Sequence, residues 1–122
     1  MTNPSRRYAM NFGWVWGPNN MELDKKASLA LKLRGADPAQ LNELLDGWLE
    51  ELIHDEESGS YYQGGFSVEV QSRGQGSADI IFASGGQDVA DSLGYAVDGF
   101  HDSVLEQLDT AEVTWTELPL ES

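Results

Sequence analysis

The side chains with chemistry to offer are overwhelmingly carboxylates. At roughly 100° per residue, Asp91, Asp98, Asp102 and Asp109 fall within one narrow arc of a helix, with Tyr95 and Glu106 beside them. A second set, Glu43, Asp46 and Glu50, recurs at three- and four-residue spacing and continues toward Asp55, Glu56 and Glu57. Within each set the charges return about once per helical turn, roughly 5 Å, comparable with the charge spacing along a phosphate backbone. Solvated helices usually interleave both signs, and like charges at this spacing cost a few tenths of a kcal/mol each. Two readings fit such faces: a surface that docks a basic partner, or a solvated face that keeps the chain soluble.

Other reactive groups are sparse. There is no cysteine, so disulfides, thiolate metal sites and thiol nucleophiles are excluded. The two histidines, His54 and His101, show no HExxH or comparable spacing, and no D-x-D-x-D-G calcium loop is present. His54 reads as part of a charged helix end with Asp55, Glu56 and Glu57, and His101 as a residue on a helix flank. No G-x-S-x-G elbow singles out a serine, and the carboxylates are too numerous for any pair to be assigned as acid and base. Gly64-Gly65, Gly74/Gly76 and Gly85-Gly86 read as turns. The expectation is a non-enzymatic chain with no metal and no cofactor.

These groups must be carried by elements that the hydrophobic pattern outlines. Tyr8, Met10, Phe12, Trp14 and Trp16 alternate as one aromatic face of a strand; Trp14 and Trp16 are candidate binding anchors, with core packing as the competing role. After the Gly17-Pro18-Asn19-Asn20 turn, Ala27, Leu29, Leu31 and Leu33 alternate as a second strand, expected to pair with the first as a hairpin. Helix propensity favours the same segment, but its period of two favours the strand. Asp37-Pro38-Ala39-Gln40 opens a helix, with Asp37 as N-cap and Gln40 placed to return a capping-box bond. Its apolar stripe is Leu41, Leu44, Leu45, Trp48, Leu49, Leu52 and Ile53, and it should fade over 54–60.

Phe66, Val68 and Val70 alternate next, Arg73-Gly74-Gln75-Gly76 turns the chain, and 78–83 returns as the other arm of a hairpin. A second helix carries Val89, Leu93, Val97, Phe100, Val104 and Leu108 on its buried side, weakened by Gly94 and Gly99 unless these admit a close neighbour. Ala111 to Glu117, with Val113 and Trp115 on one face, forms the last strand, and Trp48 and Trp115 are expected in the core. From Ala27 the order β, α, β, β, α, β is the split-βαβ order of ferredoxin-like domains, preceded by one extra strand. The expected fold is therefore α+β: a mainly antiparallel sheet of about five strands with two helices on one face. A chain of 122 residues fits a single domain over 1–122, with 1–6 and 118–122 frayed.

Charge narrows the function classes. The net charge is −14, and six of the seven basic residues (Arg6, Arg7, Lys25, Lys26, Lys32 and Arg34) lie in the first 34 positions. From Gly35 onward Arg73 alone faces nineteen acidic residues. Such a field disfavours direct contact with nucleic acid or anionic membranes and attracts basic proteins. No signal peptide or membrane span is read, and a cytoplasmic address is expected. The leading expectation is an acidic protein-binding domain that inhibits or neutralises a basic, nucleic-acid-handling partner such as a nuclease or toxin, in the manner of an immunity protein, an anti-defence inhibitor or a nucleic-acid mimic. Its binding residues would be Glu43, Asp46, Glu50, Asp91, Tyr95, Asp98, Asp102 and Glu106. Two alternatives stand beside it: an adaptor or assembly subunit using the aromatic strand or open sheet face, and a small-ligand or enzymatic ferredoxin-like domain. Oligomeric state is left open by the sequence.

Overall fold

A computed structural model describes residues 8, 26–85, 89–108 and 111–118. Alternation decides the first element: Lys26–Arg34 is a strand (β1) whose Ala27, Leu29, Leu31 and Leu33 are buried, although its composition favours a helix. Burial on a pleated surface outweighs intrinsic propensity here. Asp37 caps the helix that follows (α1, Pro38–Leu49), its carboxylate accepting from the Gln40 amide at 2.9 Å. Leu41, Leu45, Trp48 and Leu49 form the buried stripe.

The stripe does not continue as its spacing predicts. The last bonds tighten to i→i+3, from Glu51 N to Trp48 O and from Leu52 N to Leu49 O, and Glu50 becomes the C-cap. Leu52 packs on the core from this turn, while Ile53 enters a two-residue strand (β2, Ile53–His54) and is 54% exposed. His54 and the acidic run are thus no helix end. β2 pairs with Tyr61–Gln63 (β3) across a loop that Asp55 organises: its carboxylate accepts from the Glu57 amide (3.1 Å) and the Ser58 hydroxyl (2.9 Å), and its carbonyl from the Gly59 amide (2.8 Å).

Phe66–Gly74 (β4) and Ser77–Gly85 (β5) form the expected hairpin around Gln75-Gly76. An extra residue, Gln71, sits between the paired positions Val70 and Ser72, which shifts the register of the ladder. Val89–Ser103 (α2) is the second helix; a 3₁₀ turn at Leu105–Gln107 carries the buried stripe on through Val104, Leu105 and Leu108. Glu112–Glu117 (β6) ends the described sheet, and Leu118 is still tied to it through a bond from its amide to Ser28 O.

The sheet is open, antiparallel and six-stranded, in the order β2-β3-β4-β5-β1-β6. Its even-odd alternation gives two faces. Phe82 lies on the helix side, 6.1 Å from Trp48, 5.4 Å from Phe100 and 5.8 Å from Trp115 by ring centroids, while Trp48 and Phe100 meet edge-on at 5.0 Å. One aromatic cluster therefore locks both helices onto the same face. Trp115 is half-buried at its margin, with Tyr8 against it at 5.8 Å and the Tyr8 hydroxyl donating to Glu117.

Two expectations about the N-terminal strand are affected. β5 occupies one edge of β1 over 26–33 and β6 the other over 29–34, so β1 has no free edge for a hairpin partner along most of its length. Of the aromatic strand itself only Tyr8 is described; Trp14 and Trp16 lie outside the described residues. The two strands of the six that lie outside β1, β4, β5 and β6 come instead from the β2–β3 hairpin.

Candidate acidic groove

The Gly64-Gly65 turn between β3 and β4 brings the sheet edge against the first turns of α2. Gly65 approaches Ser92 so closely that a side-chain carbon there would overlap the serine, and the Gly65 carbonyl accepts from the Ser84 hydroxyl at 2.7 Å. Gly76 makes the other close approach: its φ is +73°, a side chain would strike the Ala36 carbonyl, and its own carbonyl accepts from the Ala36 amide at 3.1 Å. Gly99 needs no such explanation, since a Cβ there would make only an ordinary contact.

Between α2, the end of α1 and the β3–β4 turn run two adjoining clefts. One, of about 560 Å³, is lined by Gln63, Gly64, Gly65, Phe66, Asp91, Ser92 and Tyr95. The next, of about 390 Å³, shares Gln63, Phe66 and Tyr95 and adds Trp48, Glu51, Leu52, Asp98, Gly99 and Asp102 among its walls. Together they form a groove along α2. Tyr95 stands between the two, 69% exposed, with its ring 6.3 Å from Phe66. The fold thus unites Asp91, Tyr95, Asp98 and Asp102 in one groove and adds Glu51, Trp48 and Phe66, whose participation depends on tertiary contacts and not on spacing.

The remaining candidates fall elsewhere. Glu43, Asp46 and Glu50 are exposed on α1; Asp46 and Glu50 line a separate cleft with His54 and Tyr61, whose rings stack at 4.7 Å. Asp46 is bound by Arg73, so this face is partly neutralised from within. Glu106 is exposed on the 3₁₀ turn, outside the groove walls. His101 Nδ1 lies 3.0 Å from Asp102 Oδ1, and with Glu106 these residues offer three ligand atoms within 4.8 Å of one another. Two of the three are exposed, and the His101–Asp102 hydrogen bond accounts for the pair without an ion.

Two of the described basic residues lie on the opposite face of the sheet. Register puts Lys32 and Arg34 on the open sheet face with Asp79, Glu69, Thr114 and Thr116. Arg34 grips Asp79 through two bonds, at 3.0 and 3.4 Å, and the Ser72 hydroxyl donates to the same carboxylate at 3.0 Å. Arg34 and Ser72 together hold the Asp79 carboxyl below its ordinary value. Among the described residues lining the α2 groove none is lysine or arginine.

No protein-family model, no curated protein and no solved structure matches this chain. Among the described residues no helix is long and apolar enough to cross a membrane.

Proposed function

We propose that this chain is a non-enzymatic docking domain whose acidic helix side binds and neutralises a basic, nucleic-acid-handling protein. The observation that carries the reading is the lining of the α2 groove, which has several carboxylates and, among the described residues, no lysine or arginine. Carboxylates border the α2 groove, whereas both described guanidinium groups, on Arg34 and Arg73, are already held by Asp79 and Asp46. A field of one sign over a concave surface focuses long-range attraction on a partner of the other sign and speeds its encounter. Carboxylates repeating along α2 about once per turn can occupy a site that otherwise reads a phosphate backbone.

The order β4-β5-β1-β6, with α1 connecting β1 toward β4 and α2 connecting β5 to β6, supports a ferredoxin-like core to which the β2–β3 hairpin adds an edge. That addition supplies Gln63 and the glycine turn to the groove.

The test is affinity capture from the native lysate at about 0.1 M and 1 M salt, where the screening length is roughly 10 and 3 Å. The bait is the intact chain or its Asp98→Lys/Asp102→Lys variant. A basic nucleic-acid-binding protein retained stoichiometrically by the first, released by salt and lost from the variant is expected. Identical retention by both baits overturns the proposal.

A further inference from the structure

Trp48 offers a donor that the fold does not use. The side chain is 6% exposed and is wedged between Phe82 and Phe100, yet its Nε1 has no hydrogen-bond partner among the described residues. Nor is that nitrogen sealed in: among those residues no buried side-chain nitrogen or oxygen lacks a partner. It lies beside Gly99. A Cβ built on Gly99 would have one neighbour within 4 Å, Trp48 Nε1 at 3.8 Å, and both residues line the 390 Å³ cleft. The indole N–H is thus presented to the cleft from an otherwise buried ring. Buried indole N–H groups usually find an acceptor, and neither Gly99 nor the apolar faces of Phe66 and Leu52 supplies one.

The surroundings specify the occupant. Asp98, Asp102 and Glu51 border the same cleft, and Tyr95 turns an exposed ring toward its junction with the next one, beyond which lies Asp91. A neutral acceptor placed against Trp48 and cationic groups placed against the carboxylates are found together in one chemical object, an extended basic peptide. From Asp91 to Asp102 the helix advances about 16 Å at roughly 1.5 Å per residue, the span of about five extended residues. Arginine suits the site better than lysine, because its planar guanidinium can both fork onto a carboxylate and lie on an aromatic face.

Building on the docking-domain reading, we infer that the α1–α2 cleft holds an extended arginine-bearing segment of the basic partner. One backbone carbonyl of that segment accepts from Trp48 Nε1, and its guanidinium groups pair with Asp98, Asp102 and Glu51 across Tyr95.

The experiment follows the tryptophan indole ¹H–¹⁵N resonances of the intact chain, with Trp48 assigned from a Trp48→Phe variant. The probe is the blocked pentapeptide Gly-Arg-Gly-Arg-Gly at low salt and millimolar concentration, beside its uncharged citrulline analogue and its lysine analogue. The Trp48 indole resonance is expected to move with the arginine peptide, less with lysine and not with citrulline. Gly99→Leu, which fills the mouth of the cleft and improves helix propensity, should abolish the movement while leaving the amide spectrum dispersed. Asp98→Asn/Asp102→Asn should weaken binding at least fivefold. A still Trp48 resonance while Glu43 or Glu50 amides respond overturns the cleft assignment and leaves the docking reading intact. A Trp48 resonance that moves equally with citrulline, or no response to any peptide, also overturns it; the docking reading fails separately, through the capture experiment.

Discussion

Arg73 reaches Asp46 because β4 carries one residue too many. Its Nη1 donates to Asp46 Oδ1 at 2.8 Å and its Nη2 to Asn42 Oδ1 at 3.0 Å. Strict alternation from Val70 would turn Arg73 to the open sheet face. The extra residue Gln71 reverses the phase, so that Arg73 pairs with Ala78 on the helix side and Ser72 with Asp79 on the other. A single bulge thus sets both charged contacts of this strand.

The Arg73–Asp46 pair is solvent-exposed on both sides, which limits its contribution to stability. A double-mutant cycle with Arg73→Met and Asp46→Asn is expected to give a coupling below about 1 kcal/mol that shrinks with added salt. Deleting Gln71 should bring that coupling to zero by returning residue 73 to the open face. A coupling unchanged by the deletion contradicts the account of the bulge.

Asp37 holds the start of α1 through the Gln40 amide. Asp37→Ala should cost about 1 kcal/mol in urea unfolding with an unchanged slope, and Asp37→Asn considerably less. Equal losses for both would mean that charge, not capping geometry, matters there.

Gly76 combines a left-handed backbone with a close approach to Ala36, whereas Gly64, at φ +58°, faces open space. Gly76→Ala should therefore destabilise by more than about 2 kcal/mol and Gly64→Ala by about 1 kcal/mol. Comparable values in thermal or urea unfolding would show that the β4–β5 turn does not depend on the Ala36 contact.

Asp79 titrates below its ordinary value of 3.8 because Arg34 and then Ser72 bond its ionised form. A carboxyl whose folded pKa is depressed contributes stability that is present above the unfolded value and disappears as pH falls through the folded one. The difference in unfolding free energy between the wild type and Asp79→Asn should accordingly hold constant from pH 7 to about 5 and narrow as pH falls below 3.8. Differences are needed because acid also relieves the self-repulsion of so anionic a chain. A gap that widens toward acid has the wrong sign.

Local chemistry made much of this fold readable, and tertiary chemistry the rest. Asp37, the period of two in β1 and the β4–β5 turn act through neighbours a few residues away, so their signals lie in adjacent positions. Leu52 and Ile53 misled because they keep helical spacing after Leu49, while a hairpin partner at Tyr61–Tyr62 draws Ile53 into a strand. Strands of two and three residues are too short to show a period; the cue was Ser58-Gly59-Ser60 followed by two tyrosines and Gly64-Gly65. Gln71 leaves no mark in composition, since a bulge is defined only against the partner strand. The α2 carboxylates were visible as a stripe. That Trp48 and the Gly65 turn close that stripe into a groove follows only from how the helices meet on Phe82.

Salt dependence of partner binding tests the central claim most directly. Affinity for the captured basic partner would be measured across a range of salt for the wild type, for Asp98→Asn/Asp102→Asn and for Glu43→Gln/Glu50→Gln. The groove variant is expected to bind at least tenfold more weakly at low salt and with a shallower salt dependence, and the α1 variant to stay within about threefold of the wild type, since salt weakens long-range attraction between opposite charges. Indistinguishable affinities and slopes for the wild type and the groove variant would contradict the account.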